Sequence, residues 1–449
     1  MNPGATPPTC KSGTCTHPQM RRQPTFPCEP ETVELDLRGE KAVFDVNGLK
    51  LLGPRDAPAR ARPNFARVAP NISKLTLEVT HRCNLGCRYC FVREQYADDQ
   101  VMSLRIAQTA FKRLLPRDRD VGVAFFGGEP LMAWDLIAQF MPWAVGVCSE
   151  RQIKLPNGKT RSQRCRCHVT TNGTLLSPQR IEFLRRYGSS FIISLDGPRE
   201  VHDLQRPFRQ GDASSYEATL KALKLVGAAG LGKHTTIRAT YDLASIRDAE
   251  PTWLAERLAH LVGLCRLGCA VNVSVEPAFA SCGDIACIRE NADGEHVKLL
   301  ETAYWLAADL YVREHRAGRP FRFFHFDKFL ERVRSGVAQP SECGAGYGVV
   351  SISPNGTICA CHRETGTAIG HVDDGIDELA RAPWLDNRLY ARQGCLSCWA
   401  RYLCGGGCRM DSLLHLNDIH RPCPWECDFK QMMIRIALWI DRQLQRGEE

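Results

Sequence analysis

The chain has 449 residues, 44% hydrophobic and 24% charged, with a formal net charge of +8. That length accommodates two or three domains, and the balance is that of a globular protein rather than a disordered or fibrous one. No run of roughly 18 uninterrupted apolar residues occurs and the N-terminus lacks the apolar core of a signal peptide, so neither a membrane span nor secretion is expected. The basic excess is spread along the chain. Its local run at 159–166 reads as a solvated face rather than a nucleic-acid surface. The 22 cysteines fall in ligand-like spacings, which points to metal clusters in a reducing cytoplasm rather than to disulfides.

Residues 1–72 form an N-terminal extension. Its first thirty residues are rich in Pro and Thr, hold Cys10, Cys15 and Cys28, and are expected to be flexible. The stretch TVELDLRGEKAVFDVNGLKLLG then alternates apolar and polar residues around Arg38-Gly39-Glu40 and Asn47-Gly48. It reads as a short hairpin or three-stranded piece. Two roles suit it: recognition of a peptide by strand addition, or cover for the edge of a larger sheet. Residues 73–320 alternate strand patterns (KLTLEVT, VGVAFF, CHVTTN, SFIISLD, HTTIRATY, AVNVSVEP) with helical runs such as 104–115, 178–187 and 216–229. Six such units predict an α/β fold, a partial (β/α)6 barrel with its ligand site at the carboxyl ends of the strands. Segment 279–293 reads as a loop and 294–316 as a helix.

Four motifs follow strand ends and so share one rim. Cys83, Cys87 and Cys90 are spaced C-x3-C-x2-C. Three thiolates hold three irons of a 4Fe–4S cube and leave the fourth open; the bland alternative is three buried or zinc-bound thiols. Gly127-Gly128-Glu129-Pro130 follows VGVAFF, where glycines would let backbone approach a ligand and a carboxylate would pair with an ammonium. Thr170-Thr171-Asn172-Gly173-Thr174 follows the third strand. Ser194-Leu195-Asp196-Gly197-Pro198 follows the fourth, with His202 to Arg206 beyond it.

In this order the motifs resemble the radical S-adenosylmethionine enzymes, and the resemblance runs over residues 72 to 449. It implies that the open iron of a 4Fe–4S cluster chelates S-adenosylmethionine and that Tyr89 belongs to the site. It implies that Gly127, Gly128, Glu129 and Pro130 meet the methionyl amino group. Ser194 and Asp196 would lie near the ribose and Arg206 near the cofactor carboxylate, with Thr171 and Asn172 completing the set.

Residues 321–449 carry a second cysteine group. Cys343 is followed by Gly356 and Cys361, then by Cys395-x2-Cys398-x5-Cys404-x3-Cys408, and then by Cys423 and Cys427. A zinc ribbon is the structural alternative. The order resembles the SPASM domain, which holds auxiliary 4Fe–4S clusters in peptide- and protein-modifying radical enzymes. The resemblance implies one four-thiolate cluster on Cys395, Cys398, Cys404 and Cys427. It implies another on Cys343, Cys361 and Cys408. Position 349, where some relatives supply a ligand, is Val; either Cys359 substitutes or that iron is open to a substrate thiolate. Cys423 is a spare candidate. Cys148, Cys265, Cys269, Cys282 and Cys287 read as free, partly buried thiols, and Cys165 and Cys167 as structural ones.

The strings CACHRETGTAIGHV and CWARYLCGGGC resemble maturases that cross-link peptides, such as those of cysteine-rich peptides and of the quinohemoprotein amine dehydrogenase subunit. Sulfatase maturases, which make formylglycine, match less well. The implied function is a peptide or protein side-chain modification, a thioether or another cross-link, with an electron donor such as flavodoxin or ferredoxin. The alternatives are a formylglycine-forming dehydrogenase, a peptide epimerase, and a non-enzymatic iron–sulfur or zinc scaffold or redox sensor. Glu276, Asp203, Glu342 and His362 are acid/base candidates, and no catalytic role is assigned to any.

Overall fold

A computed structural model describes residues 31–53, 56–59, 71–91, 98–242, 246, 249–278, 294–363, 368–386 and 389–446. The predicted features at 1–30 and 279–293, with Cys10, Cys15, Cys28, Cys282 and Cys287, lie outside these. Strands β1 (Thr32–Leu37), β2 (Glu40–Asp45) and β3 (Lys50–Leu51) form a small antiparallel sheet. The β1–β2 turn is Arg38-Gly39, both at positive φ (62° and 85°), the conformation whose twist matches a two-residue hairpin. This sheet is not hydrogen-bonded to the larger one. It packs on the C-terminal region, with the Phe44 ring edge-on to Trp399 at 5.8 Å and Glu31 paired with Arg401.

Six parallel strands follow in sequential order: β4 (Lys74–Thr80), β5 (Val121–Gly127), β8 (Cys165–Thr171), β9 (Ser190–Ser194), β10 (Thr235–Tyr241) and β11 (Asn272–Pro277). A two-stranded hairpin, β6 (Gln152–Lys154) with β7 (Thr160–Ser162), stands between β5 and β8. The connecting helices are α1 (Leu104–Leu114), α2 (Trp134–Ser149), α3 (Pro178–Arg186), α4 (Arg199–Gln205), α5 (Ser215–Ala228) and α6 (Trp253–Arg266). Local chemistry sets their starts. Ser103, Ser177 and Ser214 each accept a backbone N–H from the first turn of α1, α3 and α5.

Strand period sorts the side chains into two faces. Leu75, Leu77, Val79, Val123, Phe125, Val169, Ile193, Ile237 and Val275 are buried in the core. On β4, β8, β10 and β11 the alternate positions are largely polar: Thr76, Glu78, Thr80, His168, Thr170, Arg238, Thr240, Ser274 and Glu276; β9 adds Ser194 beside Ile192, and β5 presents Gly122, Ala124 and Phe126 there instead. Such a polar inner face suits a hydrated ligand site. One helical stretch, Pro130–Ser149, is long and apolar enough to cross a membrane by length and composition. Here Ile137, Phe140, Met141 and Ala144 lie in the core.

Helices α7 (Gly294–Arg316) and α8 (Phe324–Ser335) lead into the last third. There β12 (Val349–Ile352) pairs in parallel with β4, so the sheet continues past its first strand. Strands β13 (Thr357–Cys359), β14 (Ala368–His371) and β15 (Gly375–Ile376) extend it antiparallel. Helices α9 (Glu378–Asp386), α10 (Arg401–Cys404), α11 (Arg409–Leu416) and α12 (Pro424–Gln445) complete the chain.

Candidate active site

A cavity of about 430 Å³ opens at the carboxyl ends of the parallel strands. Cys83, Cys87, Tyr89 and Cys90 line it, as do Gly127, Gly128 and Glu129, Thr171 and Asn172, Ser194 and Arg206. Two of the expected contacts do not: Pro130 is buried in a short turn, and Asp196 is fully buried behind the wall.

Asp196 acts as a fastener rather than as a wall group. It lies 3.0 Å from Arg206 Nε, accepts the Tyr89 hydroxyl, and accepts the Thr240 backbone N–H at 2.9 Å. The Arg206 guanidinium stands 5.2 Å from the Tyr89 ring centre and 3.9 Å from Cys87 Sγ. Burial pulls the arginine pKa down, but Asp196, Tyr89 and Cys87 outweigh it, and the net shift is upward. The cysteine loop is held on its other flank by main-chain bonds. Gly86 donates to Pro207 at 2.8 Å, Arg88 to Gln205 at 2.9 Å, and Arg209 to Asn84 at 3.0 Å.

The glycines of Gly127-Gly128 line the cavity and also serve a close approach inside the fold. A Cβ on Gly127 would stand 2.3 Å from the Thr80 carbonyl oxygen, and one on Gly128 would stand 2.3 Å from that of Arg82. The neighbour they accommodate is the chain entering the cysteine loop. Glu129 is likewise occupied. Its carboxylate accepts from Leu131 N at 3.0 Å, Thr171 Oγ1 at 2.7 Å and Asn172 N at 2.8 Å. A carboxylate offers about four acceptor sites, so one remains for a ligand ammonium. Burial raises its pKa despite these bonds.

The cysteine loop fits a metal cluster. Its three thiols share one cavity wall, and each of Cys87 and Cys90 disfavours ionisation of Cys83. Burial pushes Cys83 up to about 12 and Cys87 up to about 11, and coordination to a metal is what would deprotonate such thiols. Among the described residues no three Cys, His, Asp or Glu side chains converge as ligands of one ion would.

The last third of the chain also lines the cavity, through His362 and Arg363. The His362 ring stands edge-on to Phe126 at 4.6 Å, and burial pushes its pKa down to about 3. Arg363 Nη1 lies 2.8 Å from Asp411 and 3.6 Å from Cys408 Sγ. Cys343 disfavours ionisation of both Cys361 and Cys408, so these three share one neighbourhood. Cys404, Cys395 and Cys398 do the same to Cys427, which defines a second. Cys359 is fully buried in β13 opposite Ser351. Cys423 is buried at the start of α12.

The remaining acid/base candidates separate. Glu276 lines the cavity and faces His325 at 3.4 Å; burial opposes its ionisation, but His325 and Arg238 win and its pKa is lowered. Asp203 accepts from Ser214, Ser215 and the Tyr216 N–H, which is a helix-start role. Glu342 is buried among Lys328, Arg332 and Lys430, away from the cavity. Sequence reading gave no role to Arg238, Phe126 or Arg363, all of which line it.

Comparison with known proteins fits this geometry. The family model described as Radical SAM superfamily matches residues 77–241. The chain carries a radical SAM domain. That domain spans β4 to β10 and holds the cysteine loop. The uncharacterized protein MJ0907 of Methanocaldococcus jannaschii is 30% identical over 34% of this chain and 48% of its own length, so the match spans about half of that relative. The serine-type anaerobic sulfatase-maturating enzyme of Klebsiella aerogenes is 21% identical over 73% of this chain and 76% of its own. Among solved structures, native anSMEcpe with bound AdoMet and Cp18Cys peptide has a TM-score of 0.64 at 17% identity, over 84% of this chain and 99% of that one. The last of these likenesses is one of fold.

Proposed function

We propose that the protein is a radical S-adenosylmethionine enzyme that modifies a side chain of a peptide or protein, forming a thioether or another cross-link. One observation carries the reading: the cavity is lined both by the Cys83–Cys90 loop and by His362 and Arg363, which follow Cys361 directly. In this reading the six-stranded sheet is a partial barrel and residues 321–449 are a SPASM domain. Cys83, Cys87 and Cys90 hold the cluster that binds S-adenosylmethionine. Cys395, Cys398, Cys404 and Cys427 hold one auxiliary 4Fe–4S cluster, and Cys343, Cys361 and Cys408 hold the other, with Cys359 as its candidate fourth ligand.

When bound, these groups supply the 5′-deoxyadenosyl radical that removes a substrate hydrogen atom and an acceptor for the electron released on bond formation. The protein supplies orientation and shielding. Glu129, with one acceptor site left, would receive the methionyl ammonium. Arg206, held by Asp196, places its charge beside Cys87. Phe91 and Phe126, stacked at 6.3 Å, together with His362, present an apolar surface that limits water. An external one-electron donor such as flavodoxin or ferredoxin completes the scheme, in a reducing compartment such as the cytoplasm.

A second reading, dehydrogenation to formylglycine, draws on the similarity to sulfatase-maturating enzymes over 73% of the chain. The test of the enzyme reading is joint replacement of Cys83, Cys87 and Cys90 by Ala. S-adenosylmethionine cleavage should vanish while iron held by the other cysteines remains; undiminished 5′-deoxyadenosine formation sinks it. With a Cys-containing substrate, a product that resists thiol alkylation and retains its sulfur indicates a thioether. One that reacts with a hydrazide indicates formylglycine.

A further inference from the structure

Of the basic side chains lining the cavity, four have fixed partners. Arg206 is paired with Asp196 and Arg363 with Asp411. His81 faces Asp98, and Arg209 Nε donates to the Leu85 carbonyl at 3.2 Å. Arg238 differs. It lies on the inner face of β10, lines the cavity, and its Nε is buried with no hydrogen-bond partner. Among the described residues its guanidinium has no hydrogen bond and no carboxylate within ion-pair distance. Arg238 as a whole is half-buried, so its terminal nitrogens face the cavity; a buried N–H left without an acceptor is costly, and a wall of a cavity is where a ligand can relieve that cost.

The surroundings specify the ligand. Lys74 lies within electrostatic reach of Arg238, as do His168 and His362, whose pKa values burial lowers to about 4 and about 3, so the neighbours at neutral pH are a second cation and two neutral imidazoles. Its one nearby carboxylate, Glu276, is committed to Ser274 and to His325. Ser194 and Ser274 flank Arg238 in register on β9 and β11. Ser274 already donates to Glu276, whereas Ser194 lines the cavity beside Arg238; the complement of such a site is an anion, and a guanidinium fork beside a hydroxyl matches a carboxylate.

We infer that Arg238 receives a carboxylate of the substrate, so that the residue modified, or one beside it, is acidic or is the C-terminus. This rests on the enzyme reading above. The cofactor's own carboxylate is a poor occupant, because it shares a carbon with the amino group expected at Glu129 on β5. Arg238 stands three strands away in the order β5-β8-β9-β10, about 14 Å along the sheet.

The test uses the full chain, reconstituted anaerobically with iron and sulfide and saturated with S-adenosylmethionine. The probes are Ac-Gly-Glu-Gly-NH2, Ac-Gly-Gln-Gly-NH2 and Ac-Gly-Gly-Gly with a free C-terminus, and the readout is equilibrium affinity. Wild type should bind one or both acids about ten-fold or more tighter than the Gln peptide; which of the two binds separates a side-chain from a C-terminal carboxylate. Arg238→Gln should lose that preference and Arg238→Lys keep part of it, with the affinity for S-adenosylmethionine unchanged. No preference in wild type, or a preference that survives in Arg238→Gln, overturns the assignment. So does a loss of S-adenosylmethionine affinity that is absent with decarboxylated S-adenosylmethionine, since it would give Arg238 to the cofactor. Failure of wild type to cleave S-adenosylmethionine would instead remove the enzyme reading and leave the carboxylate preference to stand or fall alone.

Discussion

Arg206 Nε and Asp196 Oδ2 stand 3.0 Å apart in the wall behind the cysteine loop, both buried. Asp196 also receives the Tyr89 hydroxyl, so one carboxylate fixes both the arginine beside Cys87 and the aromatic ring inside the motif. Asp196→Asn keeps the shape and removes the charge. Leaving a buried guanidinium without its counter-ion costs about 3–5 kcal/mol. The expected outcome is a marked drop in urea resistance, together with weaker S-adenosylmethionine binding, in this variant and not in Asp203→Asn, whose carboxylate serves a helix start.

Gly128→Ala tests the second support of that loop. The added methyl would meet the Arg82 carbonyl oxygen at 2.3 Å and that of His81 at 2.7 Å, both backbone atoms that can yield only by moving the chain into Cys83. The expected result is loss of S-adenosylmethionine cleavage and of part of the iron, with the C-terminal cysteine sets still loaded. Full iron and full cleavage in Gly128→Ala would show that the loop has slack the packing does not suggest.

A pH dependence follows from Glu78. It is fully buried and accepts from Ser351 at 2.6 Å and Ser353 at 3.4 Å. Burial nonetheless raises its pKa from 4.5 to about 7. Below about pH 4.5 the folded and unfolded chains both carry the proton, and the stabilising contribution is whole. Between 4.5 and 7 the unfolded chain releases it first, so stability falls with rising pH, by up to ~3 kcal/mol. Glu78→Gln cannot titrate. Denaturation measured at pH 5 and at pH 7.5 should differ less in this variant than in wild type; an equal difference would place the titrating group elsewhere.

Iron content should separate the C-terminal thiols. Cys427→Ala removes a member of the Cys395, Cys398, Cys404 neighbourhood and should lower bound iron. Cys359→Ala decides between a fourth ligand and an open iron on the other set: retained iron, with a spectrum that changes on adding a Cys-containing peptide, supports the open site. Loss of that cluster's iron makes Cys359 a ligand, and an electron-relay role becomes the better account.

What could be read from the chain was what depends on near neighbours. Strand patterns located β4, β5 and β8 to β11, and the spacing of Cys83, Cys87 and Cys90 with the strand-end motifs located the cavity. Partners far along the chain were not legible. Gly127 and Gly128 read as ligand-facing and do line the cavity, but that they also clear the carbonyls of Thr80 and Arg82, brought near by strand pairing, was not in the motif. Asp196 read as a ribose contact, and burial turned it inward. Arg363 reaches the cavity only because β13 and the turn after it follow β12 onto the sheet. Arg238 did leave a signal: a charged residue at an inward position of TTIRATY, between Thr236 and Thr240, is a polar cost that a plain structural strand would avoid.

The pairing of β12 with β4 has a consequence for how the molecule is made. Ser351 and Thr76 meet across that seam although 275 residues separate them. At a synthesis rate of ~5–20 residues per second, β4 waits about 14–55 s for its partner. During that interval the hydrogen-bonding groups on one side of Lys74–Leu77 are unpaired, and Glu78 lacks both of its serines. An open strand edge of this kind invites pairing with another chain. A chain cut at residue 320 would carry that exposure permanently. It should therefore aggregate where the full chain does not, so the first strand of the radical SAM domain reaches its finished state only after the ribosome has passed the start of the last third.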